Sequence, residues 1–391
     1  MHQQIDTLPE LVRAVVRPFD ESARGTFDFE LCTSLRAIAL VGCGDSYHAS
    51  YGAELAFNQL AGLPTQAYSA LTFSRYTAAY LPAHKPHTHM TIAVSVSGVV
   101  SRTIEALRLA QQAGSVGVAL TGRPGSLLGE SVERARVFQT TVPPLPDELN
   151  SVVPGVRSYL ASQVALYLAA VRIGEVRGHL TTAAADGLRA ELSALADVME
   201  RTIAACEPLV SAWGERWSDS GDYCFVGGGP LLGASMFSAA KVLEASGDPA
   251  VAQETEEWTH IQYFSARQAT ATFFMAADGF SADRTAEAVR AAYAIGQRTA
   301  VIATAAQADA LGEWAAWVLP IAGEVRECFA PLVYSIPGEL IAADRAERIG
   351  AAYFRAFGGG RTVDWADGAS RIRDSHMLTR LPESQPDEPG R

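Results

Sequence analysis

The feature that most limits how this chain can fold is an order of elements that it uses twice. An apolar, β-rich run from Arg36, RAIALVG, meets the small-residue turn CGDS and then a helical pattern, HASYGAELAFNQLAG. A second run from Met90, MTIAVSV, ends at Ser97 and Gly98 and opens the helix SRTIEALRLAQQAG. SVGVALTG and ARVFQTTV continue the alternation, which is how a parallel sheet covered by helices on both faces reads. About 180 residues later the order returns as DYCFVGGGPLLGASMF, TATFFMAADGF, TAVIAT and WVLPIAG, so an internal duplication is expected.

The length of 391 residues suits two such domains. The stretch between the halves is rich in Ala and Leu with charges at helical spacing, which predicts a connecting helix. The expected division is an N-terminal helical segment over 1–35, a first α/β domain over 36–180, the connecting helix over 181–215, a second domain over 216–350 and a tail over 351–391. The final LPESQPDEPGR has no apolar anchor and is expected to be disordered.

Charge and cysteines narrow the function. A net charge of -12 argues against nucleic-acid or anionic-membrane partners, which need a basic face. Five cysteines without a C-x-x-C pair or zinc-ligand spacing read as reduced thiols of a cytoplasmic protein. The start, MHQQIDTLPELVRAVV, is not patterned as a signal peptide, and the longest apolar stretch, YLASQVALYLAAV, is too short to span a bilayer. No metal site is expected, and His84, His87 and His89 read as a solvent-exposed, Pro-bounded loop.

Both glycine-rich turns follow a strand and precede a helix, where backbone N–H groups and the positive helix end can hold an anion. The same glycines also serve a tight βα turn alone. Neither turn carries the dinucleotide fingerprint or the Gly-Lys-Ser/Thr ending of a nucleotide loop, so no nicotinamide or nucleotide cofactor is expected. Lys241 and Glu244 stand three apart on one predicted helix and share a face, where the ammonium favours the carboxylate form.

Taken in order, these blocks resemble the tandem sugar isomerase (SIS) domains of glucosamine-6-phosphate synthase and of its single-function relatives, which isomerise, deaminate or deglycate sugar phosphates. The resemblance implies two SIS domains, each a flavodoxin-like parallel sheet in an α/β/α sandwich. The family's C-G-x-S turn is met by Cys43, Gly44, Asp45 and Ser46, and its S-x-S-G turn by Ser95, Val96, Ser97 and Gly98. By resemblance these hold the substrate's phosphate. FVGGGPLLGASMFSAAKVLEASG and ETEEWTHIQYF match the half that carries the chemistry. There the resemblance implies that Glu244, beside Lys241, shuttles a proton through a cis-enediol or enolamine without a cofactor. It also implies that His260 assists ring opening, in relatives often from the partner subunit. Glu254, Glu256 and Glu257 before it read either as surface or as a source of one carboxylate that orients the imidazole, and the family position favours Glu257. A homodimer with its site at the subunit interface follows.

The chain departs from the family in four places. It begins Met-His without a glutaminase domain, so an isomerase or deaminase that does not use glutamine is expected. Asp45 and Val100 replace family threonines, and Asp45 would repel a dianion, which favours an amine or hydroxyls nearby. The family's Ser-Thr-Lys segment is replaced around Arg157 and Ser158, where Arg157 offers a bidentate hold on an anion or stays a solvated charge. The tail has no lysine, and Arg371 or Arg373 cannot replace one as a tunable base.

The leading expectation is therefore an aldose–ketose isomerase of an aminosugar phosphate, with or without loss of ammonia. A fructosamine-phosphate deglycase is the alternative, suggested by Phe237 where the synthases carry glutamate, with Tyr47, Trp258 and Tyr263 either lining the pocket or packing the core. A non-catalytic sugar-phosphate sensor is the third reading.

Overall fold

The computed structural model describes residues 1–81, 88–147, 153–356, 375, 377 and 378. His84, His87, Arg371, Arg373 and the C-terminal segment expected to be disordered lie outside the described residues.

Two five-stranded, wholly parallel sheets form from the apolar runs. The first contains β1 (Ala37–Gly42), β2 (Thr65–Ser69), β3 (His89–Val94), β4 (Val116–Thr121) and β5 (Val137–Gln139), in the spatial order β2-β1-β3-β4-β5. The second contains β6 (Tyr223–Val226), β7 (Ala250–Gln253), β8 (Ala271–Ala276), β9 (Arg298–Ala303) and β10 (Trp317–Pro320), in the order β10-β9-β8-β6-β7. Counted from its own first strand, each sheet runs 2-1-3-4-5. The duplication expected from the sequence is thus present in the topology, and the α/β architecture stands as expected.

The principal helices are α1 (Leu8–Thr26), α2 (Asp45–Ala56), α3 (Ser101–Gln112), α4 (Arg157–Val176), α5 (Thr182–Arg216), α6 (Pro230–Ser246), α7 (Thr255–His260), α8 (Ala282–Ala294) and α9 (Ile336–Ile349). By its internal contacts the chain divides into two compact units: one holds Ala14–Pro143 and Ser158–Leu192, the other Met1–Arg13, Pro144–Arg157 and Ser193–Thr362. Each unit carries one sheet.

Strand residues are buried on both faces, as a helix-covered parallel sheet requires. In the second sheet Cys224, Val226, Phe274 and Ala276 pack with Trp258, Ala288 and Val289 on one side. Between them, Phe225 and Phe273 point the other way and stack at 5.1 Å, with Trp213 at 5.2 Å from Phe273. Each fully buried Phe contributes roughly 1.5–3 kcal/mol.

One expectation is corrected here. His89 does not lie in an exposed loop: it begins β3, half-buried, with its Nδ1 3.3 Å from Ser115 Oγ, and burial lowers its pKa. The apolar run after it recruits it into the ladder opposite Ala37. Among the described residues no helix is long and apolar enough to cross a membrane, and all five cysteines are free.

Helix α6, which carries Lys241 and Glu244, packs closely on α9. The approach depends on Gly338, where an added Cβ would run into the Cβ and Oγ of Ser238, itself wholly buried. Gly338→Ala is expected to cost about 1–3 kcal/mol, read as a lower denaturant midpoint. Adding Ser238→Ala should recover part of that loss, and a full, additive loss in the double variant would show that the two positions are not in contact.

Candidate functional site

In each sheet the strand order reverses between its first and third strands, and ligands of open parallel sheets collect in the crevice that such a reversal leaves at the carboxyl ends. The chain places its small-residue turns there. Val41 pairs with Ala93, so the turn after β1, Cys43 to Ser46, and the turn after β3, Ser95 to Gly98, leave neighbouring strands side by side. In the second sheet Val226 pairs with Phe274, and Gly227 to Gly229 lead from β6 into α6.

The two glycine turns share an unusual backbone. Gly44 has φ 55 and ψ -129, and Gly229 has φ 54 and ψ -128, values that a side chain would strain. The glycines thus swing the chain at once from strand to helix, and the first helical N–H groups close the turns: Ser46 and Tyr47 donate to the carbonyls of Cys43 and Gly44, and Leu231 and Leu232 to those of Gly228 and Gly229.

In the first turn Asp45 is the first residue of α2, with its carboxylate 3.9 Å from His48 Nδ1. A negative side chain is favourable at a helix N-terminus, so part of the field that would greet an anion is already answered. Cys43 Sγ accepts from Thr103 Oγ1 at 3.7 Å, which ties this turn to α3. In the other turn Gly98, at φ 65, donates its N–H to Ser95 O at 3.0 Å and to Ser95 Oγ at 3.2 Å. Ser95 is buried, closing the turn, while Val96 and Ser97 are half-buried at its outer edge.

In the second half Lys241 is wholly buried and its ammonium contacts Glu244 Oε2 at 2.5 Å, while the Glu244 side chain keeps 32% of its surface open. Phe237, one turn earlier, puts its ring centroid 4.7 Å from the Lys241 Nζ. Phe237 itself has no exposed surface, so it lies beneath the lysine in the core rather than on a pocket wall. Trp258 is likewise buried, and Tyr263 packs edge-on against it. Tyr47 is half-buried beside Tyr51.

His260 ends α7 on an exposed side, and its Nε2 meets Glu256 Oε1 at 3.1 Å. The sequence pointed to Glu257 as the companion of this histidine. Glu256, four residues earlier on the same helix, is the carboxylate that meets it. Glu257 is exposed and gives its backbone N–H to the capping carboxylate of Glu254. Glu256 in turn is held by Arg284, which also reaches Glu287 and Thr259, and this hydrogen bond depresses the Glu256 pKa. Nothing in the local sequence announces Arg284, which is 24 residues beyond His260.

Arg157, at the start of α4, donates from Nη1 to Thr7 Oγ1 at 2.6 Å, and partial burial lowers its pKa. Ser158 follows, its carbonyl accepting from Ser162 Oγ. Among the described residues no cluster of His, Cys, Asp and Glu is arranged to hold a metal ion.

Two sheets of order 2-1-3-4-5 with paired small-residue turns at the strand reversal are the tandem SIS fold. By sequence the chain is a homologue of the isomerase part of glutamine–fructose-6-phosphate aminotransferases. No protein-family model matches it. It is 24% identical over 375 residues to the isomerizing glutamine–fructose-6-phosphate aminotransferase of Nostoc, covering 90% of this chain and 56% of that protein. The chain therefore spans about half the length of that curated relative. The C-terminal domain of glucosamine-fructose-6-phosphate aminotransferase from Francisella tularensis superposes with a TM-score of 0.75 at 19% identity, covering 89% of this chain and 96% of that one. Tagatose-6-phosphate ketose/aldose isomerase from Escherichia coli gives 0.69 at 15% identity, covering 92% and 94%.

Just beyond the first turn, Glu54 on α2 accepts a hydrogen bond from the Ala67 N–H of β2, yet burial dominates and raises its pKa. A raised carboxyl pKa contributes stability below the unfolded-state value, and that contribution is lost as pH rises through the folded value. Denaturation of wild type and Glu54→Gln at pH 4 and pH 7.5 should show the variant gaining relative to wild type at the higher pH. A relative gain by wild type would mean that the Ala67 hydrogen bond outweighs burial.

Proposed function

We propose that this chain is an enzyme of the phosphosugar isomerase kind, moving a proton between C1 and C2 of an aminosugar phosphate, with residues 36–180 and 216–350 as its two SIS halves. The observation that carries the reading is the Lys241–Glu244 contact, a wholly buried ammonium against a partly open carboxylate. A buried ammonium without a partner would cost several kcal/mol, so Glu244 is held ionised. An ionised carboxylate with an open edge can take a proton from one carbon and return it to the next.

In the aldose-to-ketose direction, Glu244 removes the C2 proton while the C–H electrons form the C1–C2 double bond and O1 takes a proton. The resulting enediol collapses as the O2–H proton leaves, C2=O forms and Glu244 delivers its proton to C1. Lys241 holds the carboxylate in place. With a C2 amine the same intermediate is an enolamine, and its tautomer, an imine, can lose ammonia to water. His260, on the exposed end of α7 with Glu256 behind it, suits proton transfer to the ring oxygen, supplied to a second copy of the chain in a homodimer.

In the first unit the turns at Cys43 to Ser46 and Ser95 to Gly98 offer N–H groups and hydroxyls suited to a sugar phosphate. Asp45 beside the helix start favours a substrate with an amine on that side over a second anionic group. Phe237 is buried against Lys241 and packs the core there.

Proton NMR in D2O with glucosamine-6-phosphate, galactosamine-6-phosphate and fructose-6-phosphate tests the reading. Deuterium should enter C1 or C2 of one of them, and Glu244→Gln, assayed below its own lowered thermal midpoint because Lys241 loses its counter-charge, should slow that exchange by about 10²–10⁴-fold. Exchange at the wild-type rate in the variant would remove Glu244 from the reaction, and binding of a sugar phosphate with no exchange by wild type would make the chain a sensor.

A further inference from the structure

Two helices start side by side over the glycine turn of the second sheet. Strand β6 pairs with β7 on one side and β8 on the other, and α7 and α8 follow those two strands. Between them a Cβ added to Gly228 would lie 2.6 Å from Ser281 Oγ, just before α8, and 3.4 Å from Oγ1 of Thr255, the first residue of α7. Helix α7 ends on His260, so whatever holds α7 to α8 decides where that imidazole points.

Arg284, in the first turn of α8, makes that connection. It meets Glu256 side-on, Nε donating to Oε2 and Nη2 to Oε1 at 3.1 Å. Nη2 also donates to Thr259 Oγ1 at 3.1 Å, and Nη1 to Glu287 Oε2 at 2.6 Å. Every nitrogen of the guanidinium is thus engaged, and two of them grip α7. Isolated ion pairs at a surface hold little, whereas a side-on arginine–carboxylate contact within a network does hold. Glu256 stays ionised, its carboxyl kept below the usual carboxylate range first of all by the Arg284 hydrogen bond. An ionised carboxylate only accepts. His260 Nε2, 3.1 Å from Glu256 Oε1, therefore carries the hydrogen of that contact. Nδ1 has no hydrogen-bond partner among the described residues, on a side chain that keeps 67% of its surface open.

We infer that Arg284 is the positioning residue of His260: acting through Glu256, it commits Nε2–H to the carboxylate and leaves Nδ1 as the nitrogen that exchanges a proton with the substrate. In a histidine the hydrogen bond made by one ring nitrogen decides the work of the other. The inference rests on the reading of His260 as part of the site, and adds which nitrogen acts and what aims it. It also separates Arg284 from the groups that bind an anion, because its charge is already set against the two carboxylates of Glu256 and Glu287. Arg284→Lys keeps that charge and loses the fork that fixes both oxygens of Glu256.

The test reads the two ring nitrogens directly, on the full chain without substrate. Iodoacetamide alkylates an imidazole at the nitrogen whose lone pair is open, and the tryptic peptide from Val242 to Arg267 has His260 as its one histidine and contains no cysteine. Acid hydrolysis of that peptide then separates the Nδ1 and Nε2 carboxymethyl derivatives. Wild type should give mainly the Nδ1 product. Arg284→Gln should lower the ratio of Nδ1 to Nε2 product roughly 2–10-fold, the worth of one hydrogen bond, and Glu256→Ala should lower it at least as far. Arg284→Lys should recover part of the ratio, and Glu287→Gln, which leaves Arg284 on Glu256, should match wild type. The inference is overturned if wild type gives mainly the Nε2 product, if Arg284→Gln keeps the wild-type ratio, or if Glu287→Gln lowers the ratio as much as Arg284→Gln does. Should Arg284→Gln not fold, Arg284→Lys and Glu256→Ala make the same comparison, and a wild-type ratio in both overturns it equally. The ratio is read without turnover, so its failure leaves proton transfer by Glu244 standing, and a failure of that transfer leaves the ratio as measured.

Discussion

The pairing of the first strand of each sheet with the third governs what this protein can do. Val41 against Ala93, and Val226 against Phe274, put two connections that are distant in sequence at adjacent strand ends. A right-handed crossover leaves the second strand on the far side, so a crevice opens where the order reverses. What fills the crevice is then decided by the few residues that leave each strand. Glycine at positions 44 and 229 permits a backbone that turns from strand to helix in one step, and the near-identical angles at those two residues preserve the duplication at the level of single torsions.

From this common start the halves diverge in a way that the helix geometry explains. Twelve and fifteen residues beyond the turn glycine, the second half has Lys241 and Glu244, and the first has Ala56 and Gln59. In the second half α6 stays regular through Ser246, so a spacing of three puts ammonium and carboxylate on one face. In the first half regular helix ends at Ala56 and the chain widens into a π-helical turn from Phe57 to Ala61. The corresponding positions there carry no charge, and the polar groups of the first half stand in its turns: hydroxyls, N–H groups and the carboxylate of Asp45.

Much of the fold was legible because buried parallel strands write themselves as continuous apolar runs, and because two sets of such runs came in the same order. The Lys241–Glu244 pair was legible too, since its spacing belongs to one helix. His89 was misread because prolines upstream suggested a loop, while its place in β3 depends on a ladder with Ala37 that is 52 residues away. Among the three carboxylates before His260 the family position favoured Glu257, whereas Glu256 is the one in contact with the imidazole, and Arg284 from α8 holds Glu256 through a contact that no local pattern encodes. Arg157 turns to Thr7, 150 residues earlier in the chain, for the same reason.

Burying the Lys241 ammonium is tolerable only with Glu244 against it, and the aromatic face of Phe237 adds a weaker attraction of about 0.5–2 kcal/mol. That arrangement is internally satisfied and needs no ligand to exist. It stands twelve and fifteen residues beyond the turn glycine, about 18–22 Å along a helix at 1.5 Å per residue, and so away from the turn that starts α6. The glycine turn therefore sets where the helix begins, and the length of regular helix after it sets where the charged pair falls.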